Sequence, residues 1–311
     1  MINPEINTFM ERWTAEWASL KQGATPADRR AHFEVVAKNM ALPVPEDVDC
    51  DTVHWVEGAA SPVRVRVYRH TSGGVQPVLI YMHGGAWMQG SPETHGDITA
   101  RIASWNRQTV ISVDYALAPE HPFPEGFTQV CDVVRWCRAN AADLGIDADR
   151  IAIGGDSAGG NLAAAAALEL RGEVPLIGQL LIYPACDFEP DRPSMIENAE
   201  APLLQTRGMD GVNRMYTGGQ TDLLSTDPRV APLVAKDHSG LPPAFVAVAQ
   251  NDPLRDSGIA YAEALSAAGV AVEVDHGEGL IHGYMRAMEF CADSRTKLQA
   301  MSAWLAARNA A

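Results

Sequence analysis

The run Gly155-Asp156-Ser157-Ala158-Gly159 puts a hydroxyl midway between two glycines. It follows the apolar stretch 151–153 and precedes the alanine-rich stretch 162–170, so it is expected at a strand-to-helix turn. That is the setting a G-x-S-x-G nucleophile requires. A serine projecting from so tight a turn has strained backbone angles. Residues two before and two after it then lie too close for side chains, hence Gly155 and Gly159. The following helix directs its first N–H groups at the serine and favours negative charge there. Phosphate-loop readings fail: no G-x-G-x-x-G occurs here, and no Lys-Ser or Lys-Thr follows the glycines. The plainer alternative is a glycine-rich turn with an incidental N-cap serine.

A hydroxyl at its free pKa is a poor nucleophile and needs a base held by an acid. In a sheet of this kind the order is Ser, then Asp or Glu, then His, each just past a strand end. "AFVAVAQNDPLRD" supplies Asp252 directly after an apolar run, and "VAVEVDHGEGLIHGY" supplies His276 and His282. His282 is preferred as base, because its glycine-flanked loop is free to reach back, whereas His276 reads as a solvated strand-end residue. Asp156 reads as a brace for the turn. Asp256, before a helical run, reads as a helix cap, a role Ser257 can share. Acyl transfer also needs donors for an oxyanion. The N–H of Ala158 is one, and Gly84 and Gly85 in "VLIYMHGGAWMQG" are the others, with His83 fixing the loop by hydrogen bonds. Trp87, Met88 and the Met-rich interval after 187 are candidates for pocket lining or core.

Positioning these groups takes a particular scaffold. Short, nearly continuous apolar runs, "VLIYMH", "VISVDY", "IAIGG", "LLIYPA", "AFVAVAQ" and "VAVEV", alternate with helical stretches such as "FTQVCDVVRWCRANAADL" and "GIAYAEALSAAG". Fully apolar strands separated by helices mean a mostly parallel sheet covered on both faces, an α/β architecture. Before them, "VRVRVYR" alternates strictly over 63–69, a half-exposed strand expected to pair with 52–56. Ile6, Phe9, Met10, Trp13, Trp17 and Leu20 fall at helical spacing, and Thr25-Pro26 start a second helix near 27–38. The interval 187–243 is too long for a simple connection and is expected to be an insertion with its own helices.

Composition narrows the partners. The 311 residues are 47% hydrophobic and 20% charged, ordinary for an enzyme-sized core. A formal net charge of −15 argues against nucleic acid and against anionic membrane surfaces. No apolar run approaches the ~20 residues of a membrane span, and "MINPEINTFMERW" lacks the features of a signal peptide. Five scattered cysteines without C-x-x-C suggest free thiols in a cytoplasmic protein. No H-E-x-x-H occurs and the histidines show no ligand spacing, so no metal and no organic cofactor is expected.

Taken together, Ser157, Asp252, His282 and the "HGGAW" loop resemble the bacterial hormone-sensitive-lipase-like carboxylesterases, which are α/β-hydrolases. The resemblance also covers "VDYALAPEHPFP", "GGDSAGGNLA", "DPLRD" and "IHGY", in the family's order. It implies catalytic Ser157, Asp252 and His282 and oxyanion donors Gly84, Gly85 and Ala158. It further implies a helical cap over the pocket. The expected division is 1–45 for the N-terminal part of the cap, 46–186 for the first part of the core, 187–220 for the cap insertion and 221–311 for the rest of the core. Two departures stand out: Ala86 replaces a third glycine, its Cβ narrowing the approach, and Ala116 replaces the family's arginine. The expected activity is hydrolysis of short- to medium-chain esters through an acyl-enzyme. Another serine acyl hydrolase (amidase, peptidase or lactonase) and a non-catalytic binding protein are the alternatives. The expected partner is a small-molecule ester, with no nucleic acid and no stable membrane association; a homodimer is left open.

Overall fold

The computed structural model describes residues 1–310. Eight strands form one sheet: β1 (Val48–Val56), β2 (Val63–His70), β3 (Gln76–Met82), β4 (Thr109–Asp114), β5 (Ile146–Asp156), β6 (Gly178–Ile182), β7 (Ala244–Ala247) and β8 (Val272–Asp275). Their spatial order is β1-β2-β4-β3-β5-β6-β7-β8. Only β2 runs antiparallel to its neighbours, pairing β1 with Val56 opposite Val63 and β4 with Val65 opposite Val113. From β4 to β8 every pairing is parallel.

Helices cover both faces: α1 (Pro4–Trp17), α2 (Pro26–Met40), α3 (Gly96–Asn106), α4 (Glu125–Ala139), α5 (Ala141–Leu144), α6 (Ala158–Glu169), α7 (Pro193–Glu197), α8 (Met209–Tyr216), α9 (Leu223–Thr226), α10 (Arg255–Ala267) and α11 (Ala292–Asn309). The apolar runs read as strands because alternate side chains serve two cores. In β3, Val78, Ile80 and Met82 pack with α4, α6 and α10, while Leu79 and Tyr81 pack with α3 and α11. Parallel strands need helical crossovers, and α6 crosses over from β5 to β6. The sheet's carboxyl ends therefore gather on one edge, where ligands bind in such folds.

Above that edge lie two separate pieces of chain. The first is α1 and α2. Thr25 accepts from the Asp28 N–H and the Asp28 carboxylate accepts from the Thr25 N–H, a reciprocal cap that starts α2. Phe9, Trp13, Trp17 and Phe33 join in a chain of ring contacts 5.7–6.2 Å apart. The second piece carries α7 and α8, within the interval expected to be an insertion. Tyr216 from α8 stacks on Trp87 at 4.2 Å, which ties this piece to the loop after β3.

Candidate active site

Ser157 sits between β5 and α6 with φ +56° and ψ −118°, an unfavourable conformation for a residue with a Cβ. Its N–H donates to the Ile182 carbonyl of β6 at 2.8 Å, which anchors the turn. A Cβ added at Gly155 or Gly159 would overlap the Met82 carbonyl, so both positions need glycine for close approach.

Two other chain ends converge on this hydroxyl. An isolated parallel bridge joins Asn251 to Ile281, and the Asn251 N–H donates to Leu280 O at 2.9 Å. Bridging 251 to 281 sets the next residues, Asp252 and His282, side by side. His282 Nδ1 lies 2.7 Å from Asp252 Oδ2, and His282 Nε2 lies 2.9 Å from Ser157 Oγ. These partners assign the Nδ1–H tautomer, leaving Nε2 to accept from the serine. Asp252 is fully buried, and its Oδ1 accepts the Leu254 N–H at 2.8 Å. Tyr183 flanks the imidazole, 4.8 Å between ring centroids. His276, by contrast, is exposed and takes no part.

The loop after β3 requires a correction. Gly84 was expected to offer its N–H to substrate, but that N–H donates to Asp156 Oδ1 at 2.9 Å. Among the amides without a protein acceptor are those of Gly85, Ala86, Trp87 and Ala158. Ala86 holds φ +55° and lines the pocket beside the serine. Gly85, at φ +136°, has no room for a Cβ against the Gln89 carbonyl.

Asp156 is a hub. It also accepts from Tyr81 Oη at 2.9 Å and Tyr183 Oη at 3.4 Å, with His95 Nε2 3.5 Å away. Burial alone would raise its pKa, yet His95, Arg286 and Tyr81 hold the carboxyl well below its usual range. Burial and the Arg286 charge lower the His95 pKa, so at neutral pH the cation facing this carboxylate is Arg286. Arg286 donates to Thr94 O at 3.1 Å and to His95 Nε2 at 2.7 Å. Its guanidinium also lies 4.6 Å from the Phe33 ring of α2. His83 is buried beside the Gly84 carbonyl, 3.0 Å away, and burial pushes its pKa down to about 3. It stacks on Tyr115 at 4.3 Å, in keeping with a structural residue.

Sequence reasoning missed His95, Arg286 and Arg30. Arg30 reaches from α2 to Met88 O at 2.6 Å and Ala118 O at 2.7 Å, and pairs with Glu120. None of these contacts has a local signature, because the partners are dozens of residues apart. Asp256 also differs from expectation. It accepts the Ser194 N–H at the start of α7 at 2.8 Å and pairs with Arg255, while Ser194 Oγ accepts the Asp256 N–H at 3.1 Å in the first turn of α10. Ser257 Oγ accepts from the N–H groups of Cys186 and Asp187 at 2.9 and 3.0 Å.

Two cavities meet at Ser157. One, about 390 Å³, runs under the α7–α8 piece and is walled by Trp87, Phe188, Met209, Val212 and Leu254. The other, about 410 Å³, runs under α1 and α2 and is walled by Trp13, Trp17, Phe33, His282 and Arg286. Met88 does not line either.

An eight-stranded, mostly parallel sheet with a serine at the β5–α6 turn defines the α/β-hydrolase class. The chain belongs to the family described as alpha/beta hydrolase fold, whose model matches residues 79–286. Its resemblance to the hormone-sensitive-lipase-like carboxylesterases extends to named relatives. It is 41% identical over 235 residues to Esterase LipI of Mycobacterium tuberculosis, covering 74% of this chain and 73% of that one. It is 37% identical over 295 residues to the Ethyl acetate hydrolase of Pseudomonas putida, covering 92% of each. Among solved structures it superposes on ester-hydrolase EH1AB1 from the metagenome of Lake Arreo, complexed with a bipyridine phosphonate derivative. The TM-score is 0.93 at 36% identity, with all of both chains covered. Among the described residues no helix is long and apolar enough to cross a membrane.

Proposed function

We propose that the chain is a serine carboxylesterase that cleaves small carboxylic esters through an acyl-enzyme on Ser157. The observation that carries this reading is the unbroken relay Asp252–His282–Ser157, with hydrogen-bond distances of 2.7 and 2.9 Å. His282 Nε2 takes the hydroxyl proton as Ser157 Oγ attacks the ester carbonyl. Asp252 holds the imidazole in orientation and stabilises its cation. The N–H groups of Gly85, Ala86 and Ala158 receive the oxyanion, where fixed donors act without reorganising. His282 then protonates the leaving alcohol, and water repeats the sequence on the acyl-enzyme. No step in this sequence calls on a metal or organic cofactor.

The two cavities acquire roles from this chemistry. His282 lines only the cavity under α1 and α2, and the leaving oxygen must sit beside His282. The alcohol half therefore belongs there, and the acyl half belongs under the α7–α8 piece. In this reading residues 1–45 and 187–220 together form the cap, and the rest forms the catalytic core. Ester panels graded by acyl length, run beside an amide and a lactone, test the reading. Faster cleavage of the amide or lactone would favour another serine acyl hydrolase, and no cleavage of any would leave a binding protein.

A further inference from the structure

Charged groups are few along the two cavities: Arg29, Arg207 and Arg286, and one carboxylate, Asp156. Asp156 is buried and already accepts from Tyr81, Gly84 and Tyr183. Arg286 is spent on Thr94 and His95, and Arg207 faces Glu200 at 3.9 Å. Arg29 differs from all of these. It lines both cavities, and among the described residues its guanidinium has neither a carboxylate partner nor a hydrogen-bond acceptor. The Trp17 ring lies 5.2 Å beneath it, a cation–π contact that steadies it where the cavities join. Arg30, next in sequence, is by contrast fully bonded to Met88, Ala118 and Glu120.

The surroundings make this cation pointed. A chain of net charge −15 repels anions as a whole, yet its site walls carry three arginines and no free carboxylate. We propose that Arg29 is a specificity residue that pairs with an anionic substituent, such as a carboxylate, on the ester substrate. This inference rests on the esterase reading above. The guanidinium fork suits a carboxylate better than an ammonium would. Because Arg29 borders both cavities, the anion can lie on either half of the ester, and the test separates the two.

The experiment compares substrate pairs that differ only in charge. For the alcohol half the pair is 3-carboxyphenyl butanoate and 3-carbamoylphenyl butanoate; for the acyl half it is monophenyl adipate and phenyl adipamate. The wild type is expected to favour the carboxylate in one pair by about two- to fivefold in kcat/KM at low salt, as an exposed, braced ion pair allows. The preference should sit mainly in KM and shrink with added sodium chloride. Arg29→Gln should bring the ratio close to one. Arg150→Gln, a like change of charge at an arginine paired with Asp147 far from the site, should leave the ratio as it was. Turnover of both members without a carboxylate preference overturns the inference, as does a preference that survives Arg29→Gln. No turnover of either member overturns the esterase reading itself.

Discussion

The Gly84 N–H and the Asp156 carboxylate meet at 2.9 Å, and this contact decides which loop amides are left for a substrate oxygen. Removing the carboxylate in Asp156→Ala leaves that N–H and the Tyr81 hydroxyl without their acceptor and the Arg286 charge uncompensated. Breaking a buried charge arrangement from one side costs about 3–5 kcal/mol. Urea unfolding should show a loss of that order, with ester turnover reduced because the loop loses its anchor. An unchanged urea midpoint would mean the hub does not hold the loop.

A serine-directed phosphonate should label Ser157 alone, read by peptide mass mapping. Ser91, Ser112 and Ser257 are buried, and Ser257 already serves two backbone N–H groups. None of them has an imidazole at hydrogen-bond distance, so a label on any of the three would displace the nucleophile assignment.

Asp252 and Asp256 should fail differently. Asp252→Asn can present an N–H to His282 Nδ1 and upset its tautomer; turnover should fall by roughly ten-thousandfold, the precedent from serine proteases. Asp256→Ala should lose its bond to the Ser194 N–H and cost about 1 kcal/mol, with turnover largely kept. Both are read by ester turnover and urea midpoint. The reverse pattern would put the acid on Asp256.

Acidification should act on turnover and stability separately. Only a neutral imidazole at His282 accepts from Ser157, so turnover requires that form. Stability should fall, because burial lowers the pKa values of His83, to about 3, and of His95. Their unfolded forms bind protons below about pH 6.5, so each ring's contribution is present above that pH and lost on descent toward its folded value. Asp156, held below its ordinary range, adds a further loss at lower pH. The slope is at most about 1.4 kcal/mol per pH unit for each group. Urea midpoints from pH 7 to 4 should decline steadily; a flat series would contradict the buried, neutral state of His83.

Acyl chains up to roughly six or eight carbons should be the best substrates, an expectation that rests on the family resemblance and on the α7–α8 piece lying over the acyl cavity. Rates along a homologous series check this. A maximum beyond about twelve carbons would require an open groove in its place.

The strands were legible because a sheet covered on both faces writes itself as apolar runs, as in 78–82 and 151–153. Ser157 and Asp252 were legible because each follows such a run at a turn, and His282 because its glycine-flanked loop beyond the last run is free to reach back. The share of each loop amide was not legible. Gly84 and Gly85 look equivalent as letters, and a carboxylate 72 positions away separates them. Asp256 looked like a cap for the helix it precedes, but its acceptor oxygens face α7, a placement only the packing of two distant segments defines. Arg30 and Arg286 carry no motif at all, because their acceptors are mostly backbone carbonyls and a histidine reached across the fold.

The way α1 is held has a consequence for the order in which the enzyme is assembled. The Asn3 N–H donates to Gly279 O at 2.8 Å, Glu5 accepts from the Ala292 N–H at 2.8 Å, and Phe9 packs 6.0 Å from Phe290. During synthesis α1 leaves the ribosome well before its docking surface at 279–292 is made. Until then its apolar stripe has no seat, a long-lived exposure that favours chaperone capture or misassociation. The segment that finally seats it also brings His282. The growing chain therefore lacks both its base and one wall of its chamber until 279–292 are made, and gains them together.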